Sequence, residues 1–422
     1  MELPQLSSPR PRVMLYSHDT YGLGHLRRSL TIAAQLSRDV PEASQLLLTG
    51  SIVPGAFGLP EGVDMVKLPA LTKRSDGRYA ARILPLPLPE IIGWRLQMIA
   101  QAAITFRPNL LLVDKSAAGV QRELVPTLRH LKSHSPQTRL VLGMRDIEDS
   151  PEATRAEWEA DGVTELLEDV YDWILLYGER AVFDPVAEYN LPDKIQQKLI
   201  PVGYLGRAQP ARSRLDVRRE LGADQRPLIL VTVGGGGDGA RLIETYLQAL
   251  RDGALNPSAL KSVVVTGPLM AKGKRTDLRA AADIENVTLL EFTHELSSYM
   301  AAADLVVSMA GYNTVREALS LQKRLLLVPR TKPRVEQLIR ARRLAHRGLA
   351  RFLIPDELSP QRLAQEIQSS LTLPPPTVDL DFNGVETASN IISNLLAGAG
   401  PAGWDFPAGA LVDTRQRSLQ GR

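Results

Sequence analysis

The sequence predicts an α/β protein made of two Rossmann-like halves, and three observations carry that expectation. Apolar runs of strand length recur along the chain and alternate with segments whose apolar residues fall at helical spacing. The runs are continuous rather than alternating, the signature of parallel strands buried on both faces. The order apolar run, glycine-rich break, amphipathic helix occurs near residue 12 and returns near residue 228. At 422 residues the chain is also too long for one ordinary core, so two domains are expected.

In the first half, RVMLYS (12–17) reads as a buried strand, HDTYGLGH breaks it, and residues 26–36 carry helical spacing. Further strands are expected at QLLLTG (45–50), NLLLVD (109–114), RLVLGMRD (139–146) and DWILLYG (172–178). The second half repeats the pattern with LILVTV from residue 228, GGGGDG, and a helix over 240–250. SVVVTG (262–267), VTLLEF (287–292), DLVVSM (304–309) and RLLLVP (324–329) follow as strands. Residues 10–203 are therefore assigned to a first domain, 204–214 to an exposed Gly/Pro/Arg linker and 215–373 to a second domain. LPPP after residue 373 ends the last helix of that domain. A final helix is expected within 377–397, with Ile391, Ile392, Leu395 and Leu396 on its apolar side, and 398–422 reads as a disordered tail.

Composition excludes several classes. Hydrophobic residues at 44% and charged residues at 23% are those of a globular protein, and a formal charge of +3 is too weak to announce a nucleic-acid binder. No cysteine is present, which removes disulfides, thiolate nucleophiles and zinc-thiolate sites, and the six histidines have no ligand spacing. Without a signal-like N-terminus or an apolar run of spanning length, a cytoplasmic location is expected.

The stretch richest in chemical information is DLVVSMAGYNTVREAL (304–319), followed by LLLVP (325–329) and Glu336-Gln337. It reads as strand, glycine turn, helix with a carboxylate in its first turn, strand, and a second helix start. Helix N-termini at the carboxyl edge of a parallel sheet offer N–H groups and a positive dipole end to a phosphorylated ligand. The tetraglycine 234–237 with Gly239 precedes another helix, and its glycines either let a phosphate approach the backbone or simply form a tight turn. GxGxxG spacing also admits a dinucleotide, although the acidic residue wanted at the end of the next strand is absent. Glu317, three residues after Thr314, fits either a capping box or an acceptor for two ribose hydroxyls. His25 opens the first helix either as a candidate base, in a setting that favours the neutral imidazole, or as a buried structural histidine or polar cap. Asp114 and Asp146, at neighbouring strand ends, are rival bases or orienters of it, or caps of the segments that follow. LTKRSDGRYAAR (71–82) precedes ILPLPLPEIIGW (83–94), whose prolines argue against a regular helix or strand. Residues 73–94 read as an acceptor loop, a shallow membrane contact or a packed surface loop. Asp379-Leu-Asp381 resembles a metal-binding DxD but lies in a late connector and reads as a turn.

Together these residues resemble the GT-B glycosyltransferases, and more narrowly the family 28 group that contains the N-acetylglucosaminyl transferase acting on the lipid-linked peptidoglycan precursor. VGGGGDGAR (233–241), EF-x-x-x-L-x-x-Y-M-x-x-ADLVVS (291–308), GYNTVREAL (311–319) and EQLIRARRLAHRG (336–348) follow in that family's order. In the first half only TYGLGH (20–25) matches. MRDIEDSPE (144–152) and VFDPVAEYNLP (182–192) are similar to a poorly characterised group of bacterial glycosyltransferases.

The resemblance implies a GT-B architecture of two Rossmann-like domains with parallel sheets facing across a cleft. It implies an inverting, metal-independent transfer of a hexose or N-acetylhexosamine from a nucleotide sugar, UDP-linked by expectation, to an acceptor hydroxyl. No cofactor is implied, the nucleotide sugar being a co-substrate. The acceptor, a glycan, lipid-linked or small molecule, is not specified, and contact with the inner face of a membrane through residues 73–94 is compatible. Residue by residue, Gly235, Gly236 and Gly237 would face the diphosphate and Gly311, Asn313 and Thr314 line the nucleotide site. Glu317 would hold the ribose, Gln337 the donor sugar, and His25 would lie near the acceptor. Two departures stand out: GGGGDG where a polar residue and glutamine usually follow two glycines, and Glu336 where the lipid-intermediate enzyme has a second glutamine. A UDP-sugar 2-epimerase and a non-catalytic nucleotide-sugar binding protein are the alternatives.

Overall fold

The computed structural model describes residues 10–18, 24–52, 55, 58–73 and 78–399, with the side chain of Lys73 excluded. Most of the TYGLGH loop and residues 400–422 of the expected tail therefore lie outside the described residues. The chain divides into two compact units. One comprises residues up to 146, 151–206 and 381 onwards, and the other 147–150 and 207–380.

The first unit is built on a seven-stranded sheet. Its strands are β1 (Arg12–Ser17), β2 (Ser44–Thr49), β3 (Val63–Lys67), β6 (Leu110–Asp114), β7 (Arg139–Arg145), β8 (Trp173–Tyr177) and β9 (Leu199–Gly203), and a separate hairpin pairs β4 (Leu71–Lys73) with β5 (Tyr79–Ala81). The sheet runs β3-β2-β1-β6-β7-β8-β9 and every pairing is parallel. All five residues of β6 are buried, as a central parallel strand covered on both faces requires. Strand order reverses between β1 and β6, and there the loops after the two strands diverge.

Two segments of this unit differ from the sequence expectation. Residues 83–94 are not wholly irregular, because a helix starts at Leu88 and continues to Phe106. Its prolines fall at Pro87, the N-cap, and Pro89 in the first turn, where a missing N–H costs nothing. The segment before it leaves Ile83 67% exposed, and Trp94 on the helix is 49% exposed. The helix expected within 377–397 spans Gly384–Leu396 and packs against helix Gly24–Asp39 of the same unit. The Asp379-Leu-Asp381 segment is a connector: the Asp381 carbonyl accepts the Tyr204 N–H at 2.8 Å and its carboxylate accepts the Asn383 N–H at 2.8 Å.

A fully buried ion pair lies in the first unit. Arg95, with no exposed surface, donates through Nε and Nη2 to Glu123 at 2.6 Å each, and the Tyr16 hydroxyl donates to the same carboxylate at 2.6 Å. Arg95 also donates to the Pro69 carbonyl at 2.6 Å. Burial and the neighbouring Glu123 carboxylate raise the Tyr16 hydroxyl well above its ordinary pKa, so it stays protonated and donates. The network ties helix Leu88–Phe106 and β1 to the loop that follows β6.

The second unit carries β10 (Leu228–Thr232), β11 (Lys261–Val265), β12 (Val287–Leu290), β13 (Leu305–Ser308), β14 (Arg324–Leu327) and β15 (Arg351–Phe352), again all parallel, in the order β12-β11-β10-β13-β14-β15. The reversal falls between β10 and β13, so the glycine loop after β10 and the turn after β13 are neighbours. One face of the sheet packs Ile229, Val231, Val264 and Val307 against Ile243, Leu247 and Ile367 of the helices. Among the described residues, no helix is long and apolar enough to cross a membrane.

Candidate active site

In the first unit, the edge where β1 and β6 diverge gathers a titratable cluster. Helix Gly24–Asp39 begins beside it and presents His25 and, one turn on, Arg28. His25 Nδ1 lies 2.6 Å from Asp114 Oδ2, and Arg28 grips the same carboxylate through Nε at 3.0 Å and Nη2 at 2.7 Å. Asp114 is 3% exposed and ends β6. Burial alone would raise its pKa, but the Arg28 guanidinium and the His25 hydrogen bond outweigh it and hold the carboxyl well below the usual range, so it is ionised at neutral pH.

A carboxylate at 2.6 Å requires Nδ1 to carry a proton, which puts the basic lone pair on Nε2. The 2.8 Å approach of Arg28 Nη2 to that same Nδ1 follows from sharing Asp114 Oδ2 rather than from a second hydrogen bond. His25, Asp114 and Arg28 therefore form an oriented imidazole whose carboxylate partner is itself anchored. Of the rival aspartates, Asp114 is thus the partner of His25. Asp146, fully buried just past β7, accepts from the Tyr204 hydroxyl at 3.3 Å.

Sequence reasoning passed over two members of this cluster. Arg28 lay within an expected helix with nothing to mark it as facing inward. His18, which follows β1, meets the His25 ring edge-on with centroids 5.4 Å apart. Burial, then the neighbouring His25, lowers its pKa well below the ordinary histidine value, so His18 is neutral at physiological pH.

In the second unit the glycine loop after β10 packs against a second loop, after β11. Leu269 N–H donates to the Gly235 carbonyl at 2.8 Å and Gly236 N–H to the Val233 carbonyl at 3.3 Å. Gly236, with φ +91°, is buried, and a Cβ on it would stand 2.2 Å from the Thr266 carbonyl oxygen. Its glycine is thus demanded by loop packing, and its N–H closes a turn. Gly235 and Gly237 are exposed at the loop crest, where backbone can meet a ligand.

The turn after β13 holds Ala310 at φ +62° and then Gly311, the N-cap of helix Tyr312–Ser320. Arg340, 2% exposed, donates to the Ala310 carbonyl at 3.1 Å and lies 5.7 Å from the centre of the Tyr312 ring, which braces this turn. No side chain caps the helix, and a Cβ added at Gly311 would meet no atom within 4 Å. The helix start therefore opens onto space, with first-turn N–H groups that have no intrahelical acceptor. Asn313 and Thr314 lie half-buried in that turn.

The capping-box reading of Thr314 and Glu317 fails here. Thr314 is inside the helix and Glu317 is in its second turn, not its first. Glu317 lies one turn from Asn313 on the same face, and helical side chains lean toward the N-terminus, so its carboxylate rises toward the open end. It is 2% exposed and accepts from Arg316 Nη2 at 3.1 Å.

The second helix start, at Glu336, is filled differently from the open end that the sequence suggested. Asp149 accepts the Val335 N–H at 2.8 Å, and Glu336 pairs with Arg330. Arg330 Nη1 also lies 3.4 Å from Asp238 Oδ2 of the glycine loop. The two acidic departures from the family pattern, Asp238 and Glu336, thus share one arginine. Gln337 accepts the Arg330 backbone N–H through Oε1 at 3.1 Å. The buried hydroxyls of Thr232 and Ser308, at the ends of β10 and β13, have no hydrogen-bond partner among the described residues. Nothing in the sequence distinguishes them from ordinary strand residues.

Residues 228–376 match the model of the glycosyltransferase family 28 C-terminal domain. An uncharacterised glycosyltransferase of Methanopyrus kandleri is 26% identical over 213 residues, 49% of this chain and 57% of that protein. The UDP-N-acetylglucosamine–N-acetylmuramyl-(pentapeptide) pyrophosphoryl-undecaprenol N-acetylglucosamine transferase of Shouchella clausii is 31% identical over 149 residues, 34% of this chain and 39% of that one. The chain thus spans about two-fifths to three-fifths of the length of these curated relatives. Among solved structures, the calicheamicin glycosyltransferase CalG4 superposes with a TM-score of 0.56 at 16% identity over 93% of this chain and 96% of its own. A UDP-N-acetylglucosamine 2-epimerase superposes at 0.62 and 12% identity over 95% and 99%. These likenesses establish the GT-B fold, within which residues 228–376 match the glycosyltransferase family 28 C-terminal domain.

Proposed function

We propose that the chain is an inverting, metal-independent glycosyltransferase that moves a hexose or N-acetylhexosamine from a UDP-sugar to an acceptor hydroxyl. The observation that carries the reading is the uncapped helix start at Gly311, with Glu317 rising toward it and the exposed glycine crest on the adjacent strand's loop. In this reading the second unit holds the donor. Glu317 accepts from the ribose hydroxyls, Asn313 and Thr314 border the nucleotide, the crest at Gly235 and Gly237 meets the diphosphate, and Gln337 uses its amide on the sugar. The Shouchella relative's name carries a UDP-N-acetylglucosamine donor and an undecaprenol-linked acceptor, which supports a uridine donor.

The first unit supplies the base. His25 Nε2 takes the acceptor's hydroxyl proton as that oxygen attacks the anomeric carbon. The glycosidic bond to the departing UDP breaks, and Asp114 stabilises the imidazolium that forms. The leaving diphosphate is met by the first-turn N–H groups and the positive end of helix Tyr312–Ser320. The exposed Ile83, Leu84 and Trp94 would allow the first unit to rest on a membrane carrying a lipid-linked acceptor.

Incubating the protein with labelled UDP-sugars and a lipid and glycan extract of its host tests the reading. Acceptor-dependent UDP release that survives excess EDTA and falls about 100-fold or more in His25→Ala is expected. Release that is lost on chelation and restored by manganese or magnesium contradicts the metal-free leaving-group mechanism. The likeness to the solved 2-epimerase sustains a second reading, for which free epimerised sugar without any acceptor is the diagnostic. Tight UDP-sugar binding with no turnover would point instead to a sensor.

A further inference from the structure

A cavity of about 230 Å³ lies in the second unit, lined by Thr266, Leu289 and Glu291 on the sheet side and by Lys272, Arg275, Thr276 and Arg279 on the helix side. Strand alternation explains the sheet side. Thr266 shares the parity of Val264, and Leu289 and Glu291 that of Val287, so all project onto the face covered by helix Lys272–Ala281, whose Leu278 is buried there. The cations are equally ordered, since Lys272, Arg275 and Arg279 recur at helical spacing along the side of that helix that meets the cavity.

Three cations thus line a space with one carboxylate. Arg275 is paired with Glu291, whereas Lys272 and Arg279 make no ion pair among the described residues. Opposite them Thr266 is 2% exposed, and its hydroxyl is buried without a hydrogen-bond partner. A buried hydroxyl left unpaired is destabilising, and unpaired cations that line one cavity repel one another. A single multivalent anion would relieve both, accepting from the hydroxyl on one side and from ammonium and guanidinium groups on the other. The volume equals that of on the order of eight waters, enough for a phosphate with a small organic group attached.

We infer that this cavity is an anion site for a phosphate-bearing ligand, separate from the donor site. Thr266 is its hydroxyl donor, Lys272 and Arg279 are its free cations, and Arg275 is shared with Glu291. The Gly267 loop connects the wall of this cavity to the glycine loop. Gly267 N–H donates to the Glu291 carbonyl at 2.9 Å, and two residues on Leu269 N–H donates to Gly235.

Titration calorimetry with inorganic pyrophosphate on the full chain saturated with UDP, which fills the diphosphate site of the donor reading, reads the cavity. The double variant Lys272→Gln/Arg279→Gln changes exposed side chains and should keep its fold by circular dichroism. It should bind pyrophosphate at least about tenfold more weakly, the scale of lost charge-assisted contacts. Thr266→Val should weaken binding several-fold while leaving the melting temperature unchanged or raised, because the orphaned hydroxyl is gone. Pyrophosphate affinity unchanged in the double variant, or absent in wild type, overturns the site. Vesicles of phosphatidylcholine with phosphatidic acid identify the source. Retention that pyrophosphate competes away and the double variant loses assigns a lipid headgroup, while pyrophosphate binding without retention assigns a free phosphorylated compound.

Discussion

Glu317 and Asp114 are the two residues at which a single atom's change separates a ligand-binding role from a structural one. Glu317 cannot be a cap, because it stands a turn inside its helix, and its carboxylate accepts from the adjacent Arg316. Glu317→Gln keeps the shape and an acceptor oxygen but removes the charge. UDP affinity should fall by about 1.5–3 kcal/mol, the worth of charge-assisted hydrogen bonds. Wild-type affinity for 2′,3′-dideoxy-UDP should fall by a similar amount, and the variant should no longer distinguish the two ligands. If titration finds the variant binding UDP as tightly as wild type, the role of Glu317 is structural and the donor-site reading is lost. Asp114→Asn tests the other unit. An amide can donate to Nδ1, which moves the imidazole proton to Nε2 and abolishes the base. Turnover should drop about 100-fold or more with little change in UDP affinity. Turnover near wild type in Asp114→Asn, with a large loss in Asp146→Asn, would transfer the orienting role to Asp146.

At the scale of elements, the buried Arg95–Glu123 pair binds a helix, a strand and the loop after β6. Removing one partner strands a charge in the core, so Arg95→Met should destabilise the first unit by about 3–5 kcal/mol in urea unfolding. Arg95→Met/Glu123→Leu should recover part of that loss, because replacing both partners removes the stranded charge. A single-variant cost below about 1 kcal/mol would mean that hydrophobic packing alone holds the loop. This pair also marks the limit of what the sequence discloses. The central strands β1, β6, β10, β13 and β14 were legible because burial on both faces forces unbroken apolar runs. Strands β3, β9 and β15 at the sheet edges were not, since VDMVK alternates, LIPVG contains a proline and RF is only two residues. Prolines 87 and 89 argued against a helix that they in fact begin. His25 and Asp114 were found separately from their strand and helix ends, but Arg28, His18 and the sharing of Arg330 by Asp238 and Glu336 arise from side-chain proximity that no local pattern encodes.

At the scale of the molecule, the C-terminal helix completes the unit at the opposite end of the chain. Helix Gly384–Leu396 buries Val385, Ile391, Ile392 and Leu395 and lies against helix Gly24–Asp39, where Ser389 donates to Asp39 at 2.6 Å. Its lead-in is stitched to the first unit by Asp381 N–H to Glu179 at 2.8 Å and by Gly384 N–H to the Tyr204 carbonyl at 3.0 Å. Burying four such side chains is worth roughly 6–12 kcal/mol before the entropy of ordering the segment is subtracted, comparable to the whole stability of a typical domain. Helix Gly24–Asp39 also carries His25 and Arg28, so helix Gly384–Leu396 packs on the helix that bears the candidate base. Truncation after Leu380 should therefore abolish the first unit's cooperative unfolding and the proposed transferase activity. The second unit ends before the cut, and it should keep a calorimetric transition that UDP moves to higher temperature, as ligand linkage requires. Should the truncated chain retain turnover, the tail is not what holds the base-bearing helix. Should it lose the UDP-shifted transition as well, the donor domain does not fold apart from the first unit.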